Sequence, residues 1–202
     1  EHEGELFHYW PCNLHIIGKD ILRFHAGIWI GMLLSAGYDV PDSILVHGFI
    51  TSEGQKMSKS LGNVVDPFQY INEFGVDPVR YFLMKEIPTT SDGDFQRDRF
   101  VNIFRSDLAN SLGNLVYRVL SMTEKYFSGK IPQRNGEMPF KDISKDYADA
   151  FERRDLKAAV ELVSQLFAAG NEYVDIHKPW VLAKTDPEKL PEVMYNLLEL
   201  IR

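Results

Sequence analysis

The stretch Leu14-His15-Ile16-Ile17-Gly18-Lys19-Asp20 predicts how this chain begins to fold. Its first four residues form an apolar run rich in branched side chains, which favours a strand, and the Gly-Lys-Asp triplet then interrupts the run. An apolar stripe with helical spacing follows from Ile21 to Gly37, where a residue with positive φ is expected to end the helix. A second branched run, from Ile44 to Ile50, completes a strand, helix and strand with parallel strands. Because ligands of such sheets bind outside the carboxyl ends of the strands, Gly18 and Asp20 are expected to lie at a functional site.

The composition of the chain changes after the second predicted strand. Residues 51–63 are polar and small, with two glycines and two lysines, and are predicted to form a loop. Asp66-Pro67 and Asp77-Pro78 each combine a carboxylate suited to helix capping with a proline suited to the first helical position. Helices are therefore predicted from the first pair to Gly75 and from the second pair to about Glu86.

The remainder of the chain is predicted to be all-α. Turn-forming residues between Pro88 and Gly93 mark a domain boundary near residue 90. Beyond it, apolar positions recur by threes and fours and no strand-like alternation returns. The predicted helical segments are 100–126, 156–176, one that begins at Pro179, and 188–202. Short connections between long amphipathic helices favour an antiparallel bundle, so we predict an α/β domain over residues 1–90 and an all-α domain over residues 91–202.

The composition excludes several classes of protein. Of the 202 residues, 45% are apolar and 25% are charged, as in ordinary globular proteins and unlike disordered or collagen-like chains. The sequence has no apolar stretch of about 20 residues and no signal peptide, so we expect a cytoplasmic protein without a membrane partner. The formal charge of -7 argues against a general nucleic-acid coat, although it allows a local binding patch. A lone cysteine, Cys12, cannot build a structural zinc site, and no metal site is predicted.

Two ammonium groups and two hydroxyls distinguish Lys56-Met57-Ser58-Lys59-Ser60, which lies between Gly54 and Gly62. A mobile loop of this composition can close over a polyphosphate and neutralise the negative charge that develops in a transition state. A solvated basic turn is the ordinary interpretation of two lysines in a loop.

The whole pentapeptide is identical to the signature of class I aminoacyl-tRNA synthetases. Residues 15–25 closely resemble methionyl-tRNA synthetases, and the resemblance continues through 46–50, 77–82 and 125–127. It implies the latter half of a doubly wound, Rossmann-like nucleotide-binding domain with the lysine-signature loop, followed by a helical-bundle anticodon-binding domain. The alternatives are a class I synthetase for a branched aliphatic amino acid and a stand-alone tRNA-binding module that has lost catalysis.

The resemblance also implies a reaction. Members of the family use ATP to convert methionine to methionyl-adenylate and pyrophosphate, and then transfer methionine to its tRNA. The implied partners are methionine, methionine tRNA and ATP. Mg²⁺ is expected to be borne by ATP rather than by a site in this chain.

Individual residues match the functional positions of the family. Gly18 and Asp20 match a Gly-x-Asp element that holds the ribose of the adenylate. Ile21 and His25 match part of the methionine side-chain pocket, and their spacing of four places them on one helix face. Without the resemblance, Ile21 would be interpreted as a core residue and His25 as a structural histidine.

The lysine loop supplies the implied ATP contacts. Lys59 matches the main phosphate contact and Lys56 supports it, so both are implied to be catalytic. Ser58 is included among the residues implied to bind ATP.

In the helical half, Asn110, Asn114 and Arg118 recur every four residues and form one polar ribbon. A solvated face is its ordinary interpretation, but the family carries on this helix an Asn-x-x-x-Arg pair that reads anticodon bases, which Asn114 and Arg118 match. The implied aromatic partner is Trp180, after Lys178 and a proline. Splayed bases are read by stacking and by hydrogen bonds to their edges, which suits this trio. The alternative places Trp180 in the core.

The other signature of the family, of the His-Ile-Gly-His type, occurs nowhere in the chain, so we expect a fragment of a longer enzyme. We predict that residues 1–202 alone do not form methionyl-adenylate, because the missing histidines stabilise the phosphates in the family. The measurement is methionine-dependent ATP–pyrophosphate exchange by the purified chain. Exchange above the level of a Lys59→Ala variant would contradict the prediction.

Overall fold

The computed structural model describes residues 9–134 and 136–202. By its contacts the chain divides into two compact units. The strand unit contains Glu1–Val65 and Glu86–Phe95, and the helical unit contains Asp66–Lys85 and Gln96–Arg202. This grouping differs from the predicted division at residue 90, because residues 66–85 make their contacts with the helical part of the chain.

The strand unit begins with the predicted strand, helix and strand. Strands β1 (Leu14–Gly18) and β2 (Ser43–His47) are parallel, with Leu14 opposite Ser43. Between them lie a 3₁₀ turn (Lys19–Ile21), a π-helical turn (Phe24–Ile28) and helix α1 (Trp29–Ala36). Gly37 ends α1 with a φ of 78°, which confirms the predicted helix end.

A second, three-stranded sheet was not predicted. Strand β3 (Ile50–Ser52) pairs antiparallel with β4 (Gln55–Lys56) and parallel with β5 (Gly93–Phe95). The predicted strand over 44–50 was therefore wrong in extent, because it is interrupted at Gly48. A Cβ atom at Gly48 would lie 2.1 Å from the backbone oxygen of Ser91, so the chain there passes directly against another segment. The predicted loop over 51–63 begins as a hairpin, and a strand does return after residue 90.

The helical unit contains eight helices within the described residues. They are α2 (Pro67–Phe74), α3 (Val76–Glu86), α4 (Arg97–Ile103), α5 (Asn114–Phe127), α6 (Ser144–Glu152), α7 (Leu156–His177), α8 (Pro179–Thr185) and α9 (Leu190–Ile201). A π-helical stretch, Phe104–Gly113, joins α4 to α5, so the predicted segment 100–126 is helical throughout but not uniformly α-helical. Helix α6 was missed.

Local capping explains where α2 begins and ends. The Asp66 carboxylate accepts a hydrogen bond of 3.0 Å from the backbone N–H of Phe68, as predicted for an N-cap followed by proline. Gly75, with a φ of 93°, ends the helix. Helix α3 then starts at once with Val76, so Asp77 lies in its first turn and is not the predicted N-cap.

The core of the helical unit lies between α5, α7 and α9. Its fully buried side chains are Leu115, Val119, Val174, Val193, Met194 and Leu197. Gly170 of α7 allows the close approach of its neighbours, since a Cβ atom there would lie 2.4 Å from Leu200 and 2.8 Å from Leu115. Among the described residues, no helix has both the length and the apolar character that crossing a membrane requires.

A half-buried polar network ties α3 to the π-helical stretch and α7. The Asp107 carboxylate accepts hydrogen bonds from the Tyr81 hydroxyl at 2.9 Å, from the Ser106 hydroxyl at 2.6 Å and from the Lys85 ammonium. The Tyr81 hydroxyl also lies 3.2 Å from the Ser164 hydroxyl on α7. Burial alone would raise the pKa of Asp107, but the hydrogen bonds from Lys85, Ser106 and Tyr81 outweigh it and hold the pKa below its ordinary value.

Replacing Asp107 with Ala should lower the free energy of unfolding by about 2–4 kcal/mol, because three donors lose their acceptor and the Lys85 charge loses its partner. The measurement is urea unfolding followed by the helical signal. Asp98→Ala, which removes an exposed carboxylate from α4, is the control and should change stability by about 0.5 kcal/mol or less.

The loss of stability caused by Asp107→Ala should also depend on pH. A carboxyl with a depressed folded pKa stabilises the fold above its unfolded pKa of about 3.9, and this contribution is lost as the pH falls through the folded pKa. The stability difference between the unaltered chain and Asp107→Ala should therefore shrink in acid. A difference that stays constant down to about pH 2 would contradict the role of the ionised carboxylate.

Candidate functional site

The turn after β1 brings together the residues that follow the first strand. Gly18 ends β1 and Asp20 lies in the 3₁₀ turn, so both lie at the carboxyl end of the strand, as predicted. A Cβ atom at Gly18 would lie 2.7 Å from Asp20 Oδ1, which shows that the carboxylate folds back over the glycine. Any larger residue at this position would displace the carboxylate.

A cavity of about 510 Å³ lies beside this turn. Its lining residues are His15, Phe24, His25, Ile28, Trp29 and Met32. The rings of His15 and His25 meet edge to face at 6.2 Å, and His15 Nδ1 is buried with no hydrogen-bond partner among the described residues. The cavity therefore suits an apolar side chain next to a polar group that can pair with an imidazole.

Of the two predicted pocket residues, His25 lines this cavity and Ile21 does not. The carbonyl oxygen of Ile21 instead accepts a hydrogen bond of 3.1 Å from His25 Nδ1. Because a carbonyl oxygen only accepts, this contact requires the tautomer with a proton on Nδ1, and it fixes the orientation of the imidazole ring.

The lysine loop starts as a tight hairpin. Glu53 and Gly54 form its two-residue turn with φ values of 51° and 74°, and Lys56 lies on β4 opposite Thr51. Positive φ at both central residues is the geometry that matches the twist of paired strands. Lys59 lies in the loop beyond β4, and the side chains of Lys56 and Lys59 are both exposed.

Asn63 closes the loop, a role that sequence reasoning missed. Its side-chain N–H donates to the carbonyl oxygen of Lys56 at 3.2 Å, and its Oδ1 accepts from the backbone N–H of Ser58 at 2.9 Å. The Ser58 hydroxyl is 3.1 Å from the Ser60 hydroxyl and accepts from the N–H of Leu61 at 3.2 Å. The predicted ATP contact Ser58 thus takes part in folding the loop itself.

Phe49 joins the turn after β1 to the lysine hairpin. The ammonium groups of Lys19 and Lys56 lie 4.6 Å and 5.7 Å from the centre of its ring. Lys19 also pairs with both carboxylate oxygens of Asp92, at 2.7 and 2.8 Å, and Asp92 Oδ1 accepts from the N–H of Phe49 at 2.8 Å. The hydrogen bond from Lys19, helped by that from Phe49, lowers the pKa of Asp92. Sequence reasoning assigned no role to Lys19 or Asp92, because their contact joins segments that are distant in the chain.

In the helical unit, Arg118 and Trp180 come together. The Arg118 guanidinium lies 5.6 Å from the centre of the Trp180 ring and forms a 3.0 Å ion pair with Asp175 of α7. Asn114 is exposed one turn before Arg118 on α5. Asp175 was missed, since an acid on a helix surface gives no sequence signal of its own.

A sharp bend between two helices presents Trp180 outward. Helix α7 ends at His177, its C-cap residue Lys178 has a φ of 44°, and the buried Pro179 begins α8. Trp180 is 41% exposed, so it does not belong to the core. The alternative interpretation, which places Trp180 in the core, does not agree with this exposure. No group of three or more His, Cys, Asp or Glu side chains placed to hold a metal ion occurs in residues 9–134 and 136–202.

The chain matches known proteins over almost its whole length. A family model described as tRNA synthetases class I (M) matches residues 1–120, and one described as the anticodon binding domain of methionyl tRNA ligase matches residues 137–202. A methionine–tRNA ligase of Synechocystis sp. is 46% identical over 98% of the chain and 39% of its own length. One of Rickettsia felis is 42% identical over 96% of the chain and 40% of its own length.

A solved structure gives the same match in three dimensions. Methionyl-tRNA synthetase of Mycobacterium tuberculosis, in complex with methionyl-adenylate, aligns with a TM-score of 0.89 and 38% identity. The alignment covers 98% of this chain and 42% of that chain. The chain thus spans about 40% of the length of the curated relatives it matches. With both family models matched in order along its sequence, this chain belongs to the methionyl branch of the class I tRNA synthetases.

Proposed function

We propose that this chain carries the lysine loop, the methionine pocket and the anticodon-reading helices of a methionine–tRNA ligase. The observation that carries the proposal is the meeting of two segments at Phe49, where Lys19 of the turn after β1 and Lys56 of the hairpin contact one ring. This contact brings the Gly-Lys-Asp turn and the lysine loop, which the sequence separates, to one place. The names of the relatives support the same function.

In the proposed reaction, the methionine carboxylate attacks the α-phosphorus of ATP, and pyrophosphate leaves. Lys59, supported by Lys56, neutralises charge that develops on the phosphate oxygens. The Asp20 carboxylate accepts hydrogen bonds from ribose hydroxyls, and Gly18 allows the backbone to approach them. Mg²⁺ is expected to arrive bound to the phosphates of ATP.

The cavity beside β1 is the proposed methionine pocket. Phe24, Ile28, Trp29 and Met32 offer apolar surface to a thioether side chain, which aromatic rings contact favourably. His25 contributes an imidazole whose orientation is fixed by its hydrogen bond to the backbone. Ile21 is proposed to act through this backbone contact rather than through its side chain.

The second partner is methionine tRNA, which the helical unit would recognise by its anticodon. Trp180 offers an exposed aromatic face for stacking, and Arg118 and Asn114 offer donors for base edges. After attack by a terminal ribose hydroxyl of the tRNA on the adenylate carbonyl, methionine would be carried by the tRNA and AMP released. The cytoplasm, where translation uses this product, is the expected location.

The function can be tested in a chimera in which residues 1–202 replace the matching segment of the Synechocystis enzyme. We expect methionine-dependent ATP–pyrophosphate exchange and transfer to methionine tRNA. Exchange with isoleucine, valine or leucine instead of methionine would identify another synthetase. Binding of tRNA without any exchange would support the stand-alone tRNA-binding alternative.

Replacing Lys59 with Ala in the chimera should slow adenylate formation about a hundredfold or more, because a charge contact of the transition state is lost. Pyrophosphate exchange at saturating methionine measures this loss. Lys145→Ala, which removes an exposed lysine from α6, should leave the rate unchanged. A change confined to the KM for methionine would show that Lys59 does not act on the phosphates.

Replacing Trp180 with Ala should weaken recognition of methionine tRNA by about 1–3 kcal/mol, the scale of one base stacked on an aromatic ring. Adenylate formation should not change, and the loss should persist at higher salt because stacking releases few counterions. The measurements are tRNA affinity at two salt concentrations and pyrophosphate exchange, both in the chimera.

Two further variants sharpen this prediction. Trp180→Phe keeps an aromatic face and should recover part of the affinity. Val181→Ala truncates a neighbouring side chain that is also 41% exposed and should have little effect. A fall in melting temperature for Trp180→Ala, with proportionate loss of every activity, would assign the residue to stability and reject the anticodon role.

A further inference from the structure

Strand β5 returns to the strand unit and places Asp94 against the lysine hairpin. Asp94 Oδ1 accepts a hydrogen bond of 2.6 Å from the Thr51 hydroxyl on β3 and one of 2.8 Å from the backbone N–H of Gly54. Thr51 and Gly54 precede Asp94 by 43 and 40 residues. One carboxylate oxygen thus joins the first strand of the hairpin to its turn.

The hairpin that Asp94 contacts is short. Strand β4 contains two residues, Gln55 and Lys56, and short isolated hairpins are only marginally stable in water. Its turn includes Glu53 at a φ of 51°, a conformation that residues other than glycine seldom adopt. The N–H of Glu53 donates to the backbone oxygen of Phe95 at 3.2 Å, so β5 holds this turn through its backbone as well as through Asp94.

The direction of both loop lysines depends on this turn. Asp94 binds two groups next to Lys56. Gly54 lies two residues before Lys56 in the chain, and Thr51 lies opposite Lys56 on the paired strand. Lys59 follows in the loop that Asn63 closes back onto Lys56. A change in the turn would therefore move both ammonium groups together.

We propose that Asp94 is a positioning residue for the lysine loop, which holds Lys56 and Lys59 in the orientation that receives the phosphates of ATP. The proposal rests on the proposed function for the identity of the ligand. Asp94 acts through its acceptor oxygen and does not touch the substrate. A carboxamide at this position keeps that oxygen and loses only the charge, so Asn should replace Asp.

The first test uses the 202-residue chain and measures ATP affinity together with amide hydrogen exchange. Asp94→Ala should weaken ATP binding about tenfold, the effect of losing roughly 1.4 kcal/mol, and should speed exchange of the Gly54 and Lys56 amides. Asp94→Asn should restore both properties to within about twofold of the unaltered chain. Asp39→Ala, an exposed carboxylate of the same unit, is the matched control and should change neither.

Thr51→Val keeps the proposal testable even if Asp94→Ala disturbs folding. It removes the hydroxyl that donates to Asp94 Oδ1. Its effect on ATP binding should be less than additive with that of Asp94→Ala, because both variants lose this hydrogen bond. In the chimera, Asp94→Ala should slow pyrophosphate exchange at saturating methionine while leaving the KM for methionine unchanged.

The outcomes separate this inference from the proposed function. Unchanged ATP affinity and amide exchange in Asp94→Ala would overturn the inference. So would an Asp94→Asn variant that does not restore ATP affinity, or an unaltered chain that does not bind ATP. A different outcome would overturn the proposed function while supporting the positioning role. In that outcome, the chimera does not activate methionine, yet Asp94→Ala weakens ATP binding and Asp94→Asn restores it.

Discussion

The pairing of β5 with β3 is the contact on which the arrangement of the strand unit depends. It brings Asp92 and Asp94 back beside segments that lie about 40 residues or more earlier in the chain. Asp92, directly before β5, contacts Lys19 and the Phe49 amide, while Asp94 on β5 contacts the hairpin turn. Strand β5 and the residue before it thus contact both the turn after β1 and the hairpin of the lysine loop.

In both units, a cation near the proposed sites is paired with an acidic side chain. Lys19 is paired with Asp92 in the strand unit, and Arg118 is paired with Asp175 in the helical unit. Each cation also lies over an aromatic ring, Phe49 or Trp180. Under the proposed function, this pairing reconciles a formal charge of -7 with anionic ligands, because the acids orient the cations that would meet the ligand. Exposed ion pairs of this kind contribute little to stability, so their effect lies in orientation.

Features fixed by neighbouring residues were predicted correctly from the sequence. The Asp66 cap and the left-handed Gly37 follow from local backbone chemistry, and both are found. The three-residue strand β5 and the contacts of Asp94 were not predicted, because short strands carry almost no periodicity and their partners are distant in sequence.

The proposed methionine pocket shows a different limit of sequence reasoning. Placing Ile21 and His25 on one face assumed an α-helix with 3.6 residues per turn. The chain instead passes from a 3₁₀ turn at Ile21 into a π-helical turn at His25, and these two geometries change the angle between the side chains. Of these two residues, His25 lines the cavity and Ile21 does not. The proximity of Arg118 and Trp180 agrees with the family pattern that placed both residues in one proposed anticodon site.

The order in which the two units share the chain has a consequence for recombination between relatives. The chain leaves the strand unit after Val65, returns at Glu86 and leaves again after Phe95. A crossover at residue 90 would join α2 and α3 from one parent to the helices of another, and would separate β5 from the hairpin it holds. Functional hybrids should therefore inherit residues 66–85 together with residues 96–202, as two exchanged pieces, while residues 86–95 stay with the strands of their own parent.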